Sequence, residues 1–182
     1  LEDGALPKHE SSPKVKKCTR NKVRPLKILN VNCQSIPSKI GAWQLLLNKH
    51  EPDVVVVTET WLNPNIYDAE LEADDFVIYR RDRQTTIGGG VLIAVHKSIN
   101  STEVKIPSEN AETVWAKLIL TSQQNITIGA CYRLNVSDKT TIPAMKRILD
   151  TMLNKQHRNI ILAGDFNYPG WNWEDMDLEP SC

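Results

Sequence analysis

The chain has 182 residues, a 41% hydrophobic and 24% charged composition, and a net charge of zero at neutral pH. That length suits one domain with a sizeable core and is short for two, while the composition is that of a globular protein. Zero net charge removes any global basic field toward nucleic acid, and no apolar run approaches the ~20 residues a membrane helix requires.

Charge is uneven along the chain. Residues 1–27 carry Lys8, Lys14, Lys16, Lys17, Arg20, Lys22, Arg24 and Lys27 against Glu2, Asp3 and Glu10. With Pro7, Pro13 and Pro25 among them, residues 1–25 read as a disordered basic arm. Cys18, Cys33, Cys131 and Cys182 form no Cys-x-x-Cys pair, so reduced thiols in an intracellular protein are expected rather than zinc or a disulfide framework. No signal peptide is visible.

Order begins at Leu26. Residues 26–31 alternate into a strand ending in Asn30-Val31-Asn32. Ser38 suits the N-cap of a helix with Ile40, Trp43, Leu46 and Leu47 on one face. Residues 54–57 are four valines after Pro52, a buried strand running into Thr58-Glu59-Thr60. Residues 76–79 and 91–95 form a hairpin across Arg80-Arg81-Asp82-Arg83 and Gly88-Gly89-Gly90. The glycines lack Gly-x-Gly-x-x-Gly spacing and enter a strand, so they are read as a turn and not a phosphate cradle. Residues 113–120 and 125–132 make a second hairpin, the latter strand ending at Tyr132-Arg133. A helix follows near Pro143 with Ile142, Met145, Ile148, Leu149, Met152 and Leu153 inward. Residues 160–163 read as a strand buried on both faces, and Gly164 permits a sharp exit that turns Asp165 and Asn167 one way and Phe166 the other.

Hairpins in the middle third exclude a purely parallel Rossmann arrangement. The expectation is a four-layer α/β sandwich, two packed mixed sheets flanked by helices, incomplete at its C-terminal side. Taken singly, the polar strand ends have ordinary explanations: a turn-forming Asn, a Glu59 that is merely the first exposed residue, a core tyrosine. Four such ends, each after a buried strand, fit the ligand-binding end of a layered α/β fold. A carboxylate at the mouth of a core is costly unless a partner or metal meets it.

Asn30-Val31-Asn32, Thr58-Glu59-Thr60, Tyr132-Arg133 and Gly164-Asp165-Phe166-Asn167 resemble, in order and context, the motifs of the endonuclease/exonuclease/phosphatase superfamily. The form Asn32-Cys33-Gln34-Ser35, the Arg80-to-Arg83 run before Gly88-Gly89-Gly90-Val91, and Tyr168-Pro169 with Trp171 are similar to the apurinic-type endonuclease domain of LINE-type, non-LTR retrotransposons. The resemblance implies a DNA-nicking phosphodiesterase, acting in the nucleus on chromosomal DNA to leave a 3′-hydroxyl for reverse transcription. It implies Mg²⁺ or Mn²⁺ on Asn32 and Glu59, whose oxygens suit a hard cation. Asp165 would activate the attacking water, Asn30 would hold Asp165, and Asn167 and Tyr132 would bond the phosphate. No membrane or small-molecule cofactor is implied. The family's closing Asp and Ser-Asp-His motif is not found in the chain, whose expected nuclease activity is therefore weak or nil, with marginal stability. The competing expectations are a phosphatase or RNA deadenylase of the same superfamily, and a non-catalytic remnant.

Overall fold

A computed structural model describes residues 24–84, 86–107, 111–121, 124–135, 137–168, 171, 172, 174, 177 and 178. The arm expected over residues 1–25 lies, up to residue 23, outside the described residues, as does Pro169.

Two four-stranded sheets form the centre. The first contains β1 (Ile28–Asn32), β2 (Val54–Thr58), β3 (Phe76–Arg81) and β4 (Val91–His96), in the order β1-β2-β4-β3. The second contains β5 (Asn100–Glu103), β6 (Glu112–Ile119), β7 (Asn125–Tyr132) and β8 (Ile160–Asp165), in chain order. Each sheet has one parallel pair, β1 with β2 and β7 with β8, and is otherwise antiparallel. A parallel pair needs a crossover connection. Helix α1 (Ile40–His50) supplies one and α2 (Thr141–Asn154) the other. Two further short strands, β9 (Trp171–Asn172) and β10 (Asp177–Leu178), pair antiparallel with each other.

The valine run shows why the layers stack as they do. Val54 and Val56 point between the sheets, where they join Ile93 and Val95 against Val114, Ala116, Leu118, Ile128 and Ala130. Val55 and Val57 point outward with Leu92 and Ala94, onto Trp43 and Leu47 of α1. A strand buried on both faces has no polar side to show. On the other flank Ala144, Met145, Ile148 and Met152 of α2 pack on Trp115 and Cys131. The expected four-layer α/β sandwich is therefore the fold: helix, sheet, sheet, helix.

Several details differ from expectation. Ser38 does not cap α1; it lies in a 3-10 turn, Pro37–Lys39, where its N–H donates to the Ser35 hydroxyl at 3.2 Å. In α2, Ile142 and Leu153 are exposed, while Thr141 and Ala144 are buried. Asp138 starts that helix by accepting the N–H groups of Thr140 and Thr141 at 2.8 and 3.1 Å. Strand β8 sits at a sheet edge, so its faces are only half-buried and Ile161 is exposed. Among the described residues no helix is long and apolar enough to cross a membrane.

Candidate active site

The strand ends singled out in the sequence meet at one end of the sandwich because register puts them there. Asn32 pairs with Thr58 across β1 and β2, and Tyr132 with Asp165 across β7 and β8. Leu29 and Val31 face α1, so the alternating Asn30 and Asn32 face the second sheet. On β8, Leu162 and Phe166 face α2 while Ala163 points between the sheets, and Asp165 follows it toward β1. Phe166 thus turns opposite to Asp165, as expected.

Two cross-sheet approaches close this end. The Asn32 amide donates from Nδ2 to Asp165 Oδ2 at 3.0 Å. The Tyr132 phenol lies beside the Glu59 carboxylate, close enough that each shifts the other's titration. Glu59 also accepts, on Oε2, the indole N–H of Trp61 at 2.5 Å and the N–H of Gly89 at 2.8 Å. Partial burial opposes ionisation of Glu59, but the neighbouring Tyr132 phenol, the bonds from Gly89 and Trp61, and the charge of Arg83 outweigh it, so its carboxyl titrates below its ordinary value. Tyr132 is pushed well above the usual phenol range, by burial first and then by the neighbouring Glu59 carboxylate. It stays protonated. The Arg83 guanidinium lies 5.5 Å from the Tyr132 ring centroid and pairs with Glu112 through Nε at 2.5 Å. The second Glu112 oxygen accepts the N–H of Gly90 at 2.8 Å.

Asn32, Glu59, Tyr132 and Asp165 are therefore brought together. Asn30 is beside them, but its Nδ2 reaches the Gly164 carbonyl at 3.1 Å and not the Asp165 carboxylate. One pleat deeper, it meets main chain; Asn32, one pleat further out, meets the side chain. The restraint on Asp165 expected from Asn30 is supplied in this structure by Asn32. Asn167 turns through a left-handed φ of 45° and its N–H donates to Asp165 Oδ1 at 3.1 Å. Its own amide donates to the carbonyls of Arg133 at 2.5 Å and Leu134 at 3.3 Å. In this arrangement the Asn167 amide hydrogens serve the loop carbonyls and steady the turn.

Sequence reading missed several supports. Arg133 is buried, and its guanidinium donates to the carbonyls of Phe166, Asn167 and Asp138 at 3.1–3.4 Å and stacks on Tyr168 at 4.4 Å. It locks the Asp165–Asn167 exit against the start of α2. The glycine run, taken as a simple turn, presents two N–H groups to carboxylates. Its one sequence signal was three consecutive residues able to adopt positive φ, which Gly88, Gly89 and Gly90 all do. His157 accepts or donates at Thr127 Oγ1, 2.8 Å away, near the start of β7 at the opposite end.

Glu59 offers an anionic carboxylate, and Asn32, with its Nδ2 given to Asp165, keeps its carbonyl oxygen for another partner. Such an all-oxygen set fits a hard divalent cation. Among the described residues no three His, Cys, Asp or Glu side chains gather as a metal cluster, so a cation would rest on this carboxylate and amide. A groove of about 1110 Å³ opens beside Tyr132, bordered by Arg81, Arg83, Glu112, Asn135 and Thr140.

Residues 29–181 match the pattern of the Endonuclease/Exonuclease/phosphatase family. No curated protein sequence matches the chain. Among solved structures, the endonuclease domain of TRAS1, a telomere-specific non-LTR retrotransposon, is 15% identical with a TM-score of 0.59, over 81% of this chain and 62% of that one. A 3′-5′ exonuclease from Neisseria meningitidis is 18% identical with a TM-score of 0.59, over 79% and 59%. The human Nocturnin catalytic domain is 12% identical with a TM-score of 0.56, over 79% and 64%. The chain spans about three fifths of the length of these structures, and the likeness is one of fold.

Proposed function

Because the chain belongs to the endonuclease/exonuclease/phosphatase family, we propose that it carries the catalytic apparatus of a divalent-cation-dependent phosphodiesterase that nicks DNA, of the non-LTR retrotransposon kind. The observation that supports this reading is the Asn32-to-Asp165 bond across the sheets, with Tyr132 beside Glu59, which gathers two carboxylates at one end of the sandwich.

Glu59 and the Asn32 side-chain oxygen would hold Mg²⁺ or Mn²⁺, which supplies neutralisation of charge on the scissile phosphate and its leaving oxygen. Asp165, held at one oxygen by Asn32 and at the other by the Asn167 N–H, has a fixed carboxylate plane from which to take a proton from water. The water oxygen bonds to phosphorus, its proton passes to Asp165, and the bond to the 3′-oxygen breaks. A 5′-phosphate and a 3′-hydroxyl result, the latter taking a proton from solvent. Tyr132, protonated and lining the groove beside Glu59, would give its hydrogen to the phosphate. Action on chromosomal DNA would place the protein in the nucleus.

The test is conversion of supercoiled plasmid to open circle with protein in excess over DNA. The expected nicking is slow at best, as the sequence implies, seen with Mg²⁺ and not with EDTA, and faster on plasmid than on polyadenylate RNA or soluble phosphomonoesters. Preference for RNA or monoesters would assign the site to the deadenylase or phosphatase branches; no turnover of any of them would leave a non-catalytic remnant.

A further inference from the structure

We infer that Trp61 and Gly89 form a positioning clamp on Glu59, setting the direction in which its carboxylate faces a divalent cation. The inference rests on the cation-binding reading of Glu59 given above.

Glu59 lies just past the end of β2, where nothing in the strand ladder fixes its side chain. The backbone there is unusual. Glu59 and Trp61 both have left-handed φ, 54° and 55°, with buried Thr60 between them. Non-glycine residues adopt that conformation at a cost of about 1 kcal/mol or more, and such residues concentrate where structure over-determines them. Main chain pins this segment from both sides. The N–H groups of Thr60 and Trp61 donate to Gly90 and Gly89 carbonyls at 3.3 and 3.0 Å, and Ser35 and Ile36 donate to Glu59 and Thr60 carbonyls at 2.9 and 3.0 Å.

The effect is to bring the Glu59 and Trp61 side chains to the same side. Trp61 remains 42% exposed, so little core packing is gained by placing an indole there. What the indole does is donate to Glu59 Oε2. The glycine run completes the arrangement. A Cβ on Gly90 would sit 2.5 Å from the Thr60 hydroxyl oxygen, and one on Gly88 would touch Glu59 Oε2 and Trp61 Nε1 at 3.6 Å, with positive φ at both. Glycines thus let the loop come close enough for the Gly89 N–H to reach the same Oε2. Two donors converging on one oxygen, from two segments of chain, fix the carboxylate plane. Groups that orient a metal-binding side chain in this way contribute about 10–100-fold to affinity or activity.

The experiment compares wild type, Trp61→Phe, Trp61→His and Glu59→Gln by Mn²⁺ titration, reading free Mn²⁺ by electron paramagnetic resonance, alongside plasmid nicking and thermal melting. Trp61→Phe keeps the ring face and removes the donor. It is expected to weaken Mn²⁺ binding about tenfold and to slow nicking, with the DNA concentration for half-maximal rate and the melting temperature unchanged. Trp61→His restores a ring N–H and is expected to recover part of the Mn²⁺ affinity. If Glu59→Gln loses the ion while Trp61→Phe keeps wild-type affinity, the clamp alone is overturned. If Glu59→Gln also binds Mn²⁺ as wild type does, the cation reading of Glu59 falls and the clamp with it.

Discussion

Replacing Asp165 by Asn is expected to slow Mg²⁺-dependent plasmid nicking by about 10²–10⁴-fold, the usual contribution of a positioned general base. The substitution keeps size and shape but removes the proton acceptor. Asn32 and the Asn167 N–H donate to different oxygens of Asp165, so the single amide oxygen keeps one of these two bonds and loses the other, and a melting curve on the same protein separates that loss from the loss of the base. Mn²⁺ affinity is expected to stay close to wild type, since the cation is assigned to Glu59 and Asn32. Single-turnover rates and Mn²⁺ titration on the same preparations check both statements. A nicking rate within threefold of wild type would remove Asp165 from the reaction.

Replacing Gly164 by Ala is expected to be among the most destabilising single changes in the chain. Gly164 has a φ of 143°, and a Cβ there would lie 1.9 Å from the Cys131 carbonyl oxygen and under 3 Å from its main-chain carbon and nitrogen. The obstacle is the backbone of β7, paired in register with β8, and cannot rotate aside. Strain and overpacking together cost about 3–5 kcal/mol. At about 2–4 °C per kcal/mol for a chain of this size, the melting temperature should fall by roughly 10 °C. The same displacement would pull Asp165 out of register with Tyr132, so residual folded protein should also nick poorly. Thermal unfolding followed by circular dichroism measures the first effect; a midpoint within 2 °C of wild type would mean β8 sits differently.

The apolar strands were legible because burial on both faces leaves an unmistakable run. Residues 54–57 needed only their four valines, and both hairpins showed strand, polar turn, strand. Strand β5 was missed because Asn100, Ser101, Thr102 and Glu103 form an edge, and an edge strand that packs little needs no apolar pattern. Helix α2 was found with its face turned slightly wrong. Ile142 and Leu153 border the inward stripe on the helical wheel, and only tertiary packing chose Thr141 and Ala144 instead. At the site, the carboxylates and asparagines announced themselves by chemistry at strand ends. Their partners could not: which oxygen Asn32 reaches, or that Arg133 grips three carbonyls, depends on the offset between two sheets that no short segment encodes. The glycine run was understood as backbone freedom but not as donors, because an N–H group leaves no trace in a residue's name.

Asn32 of β1, Glu59 just past β2 and Asp165 of β8 would gather at one bound cation. Anomalous scattering from a crystal soaked in Mn²⁺ tests it most directly. The account predicts a single strong peak roughly 2 Å from oxygens of Glu59 and Asn32, with Asp165 alongside and still bonded to the Asn32 amide. A map with no peak there, or with these three side chains directed to separate surfaces, would contradict it.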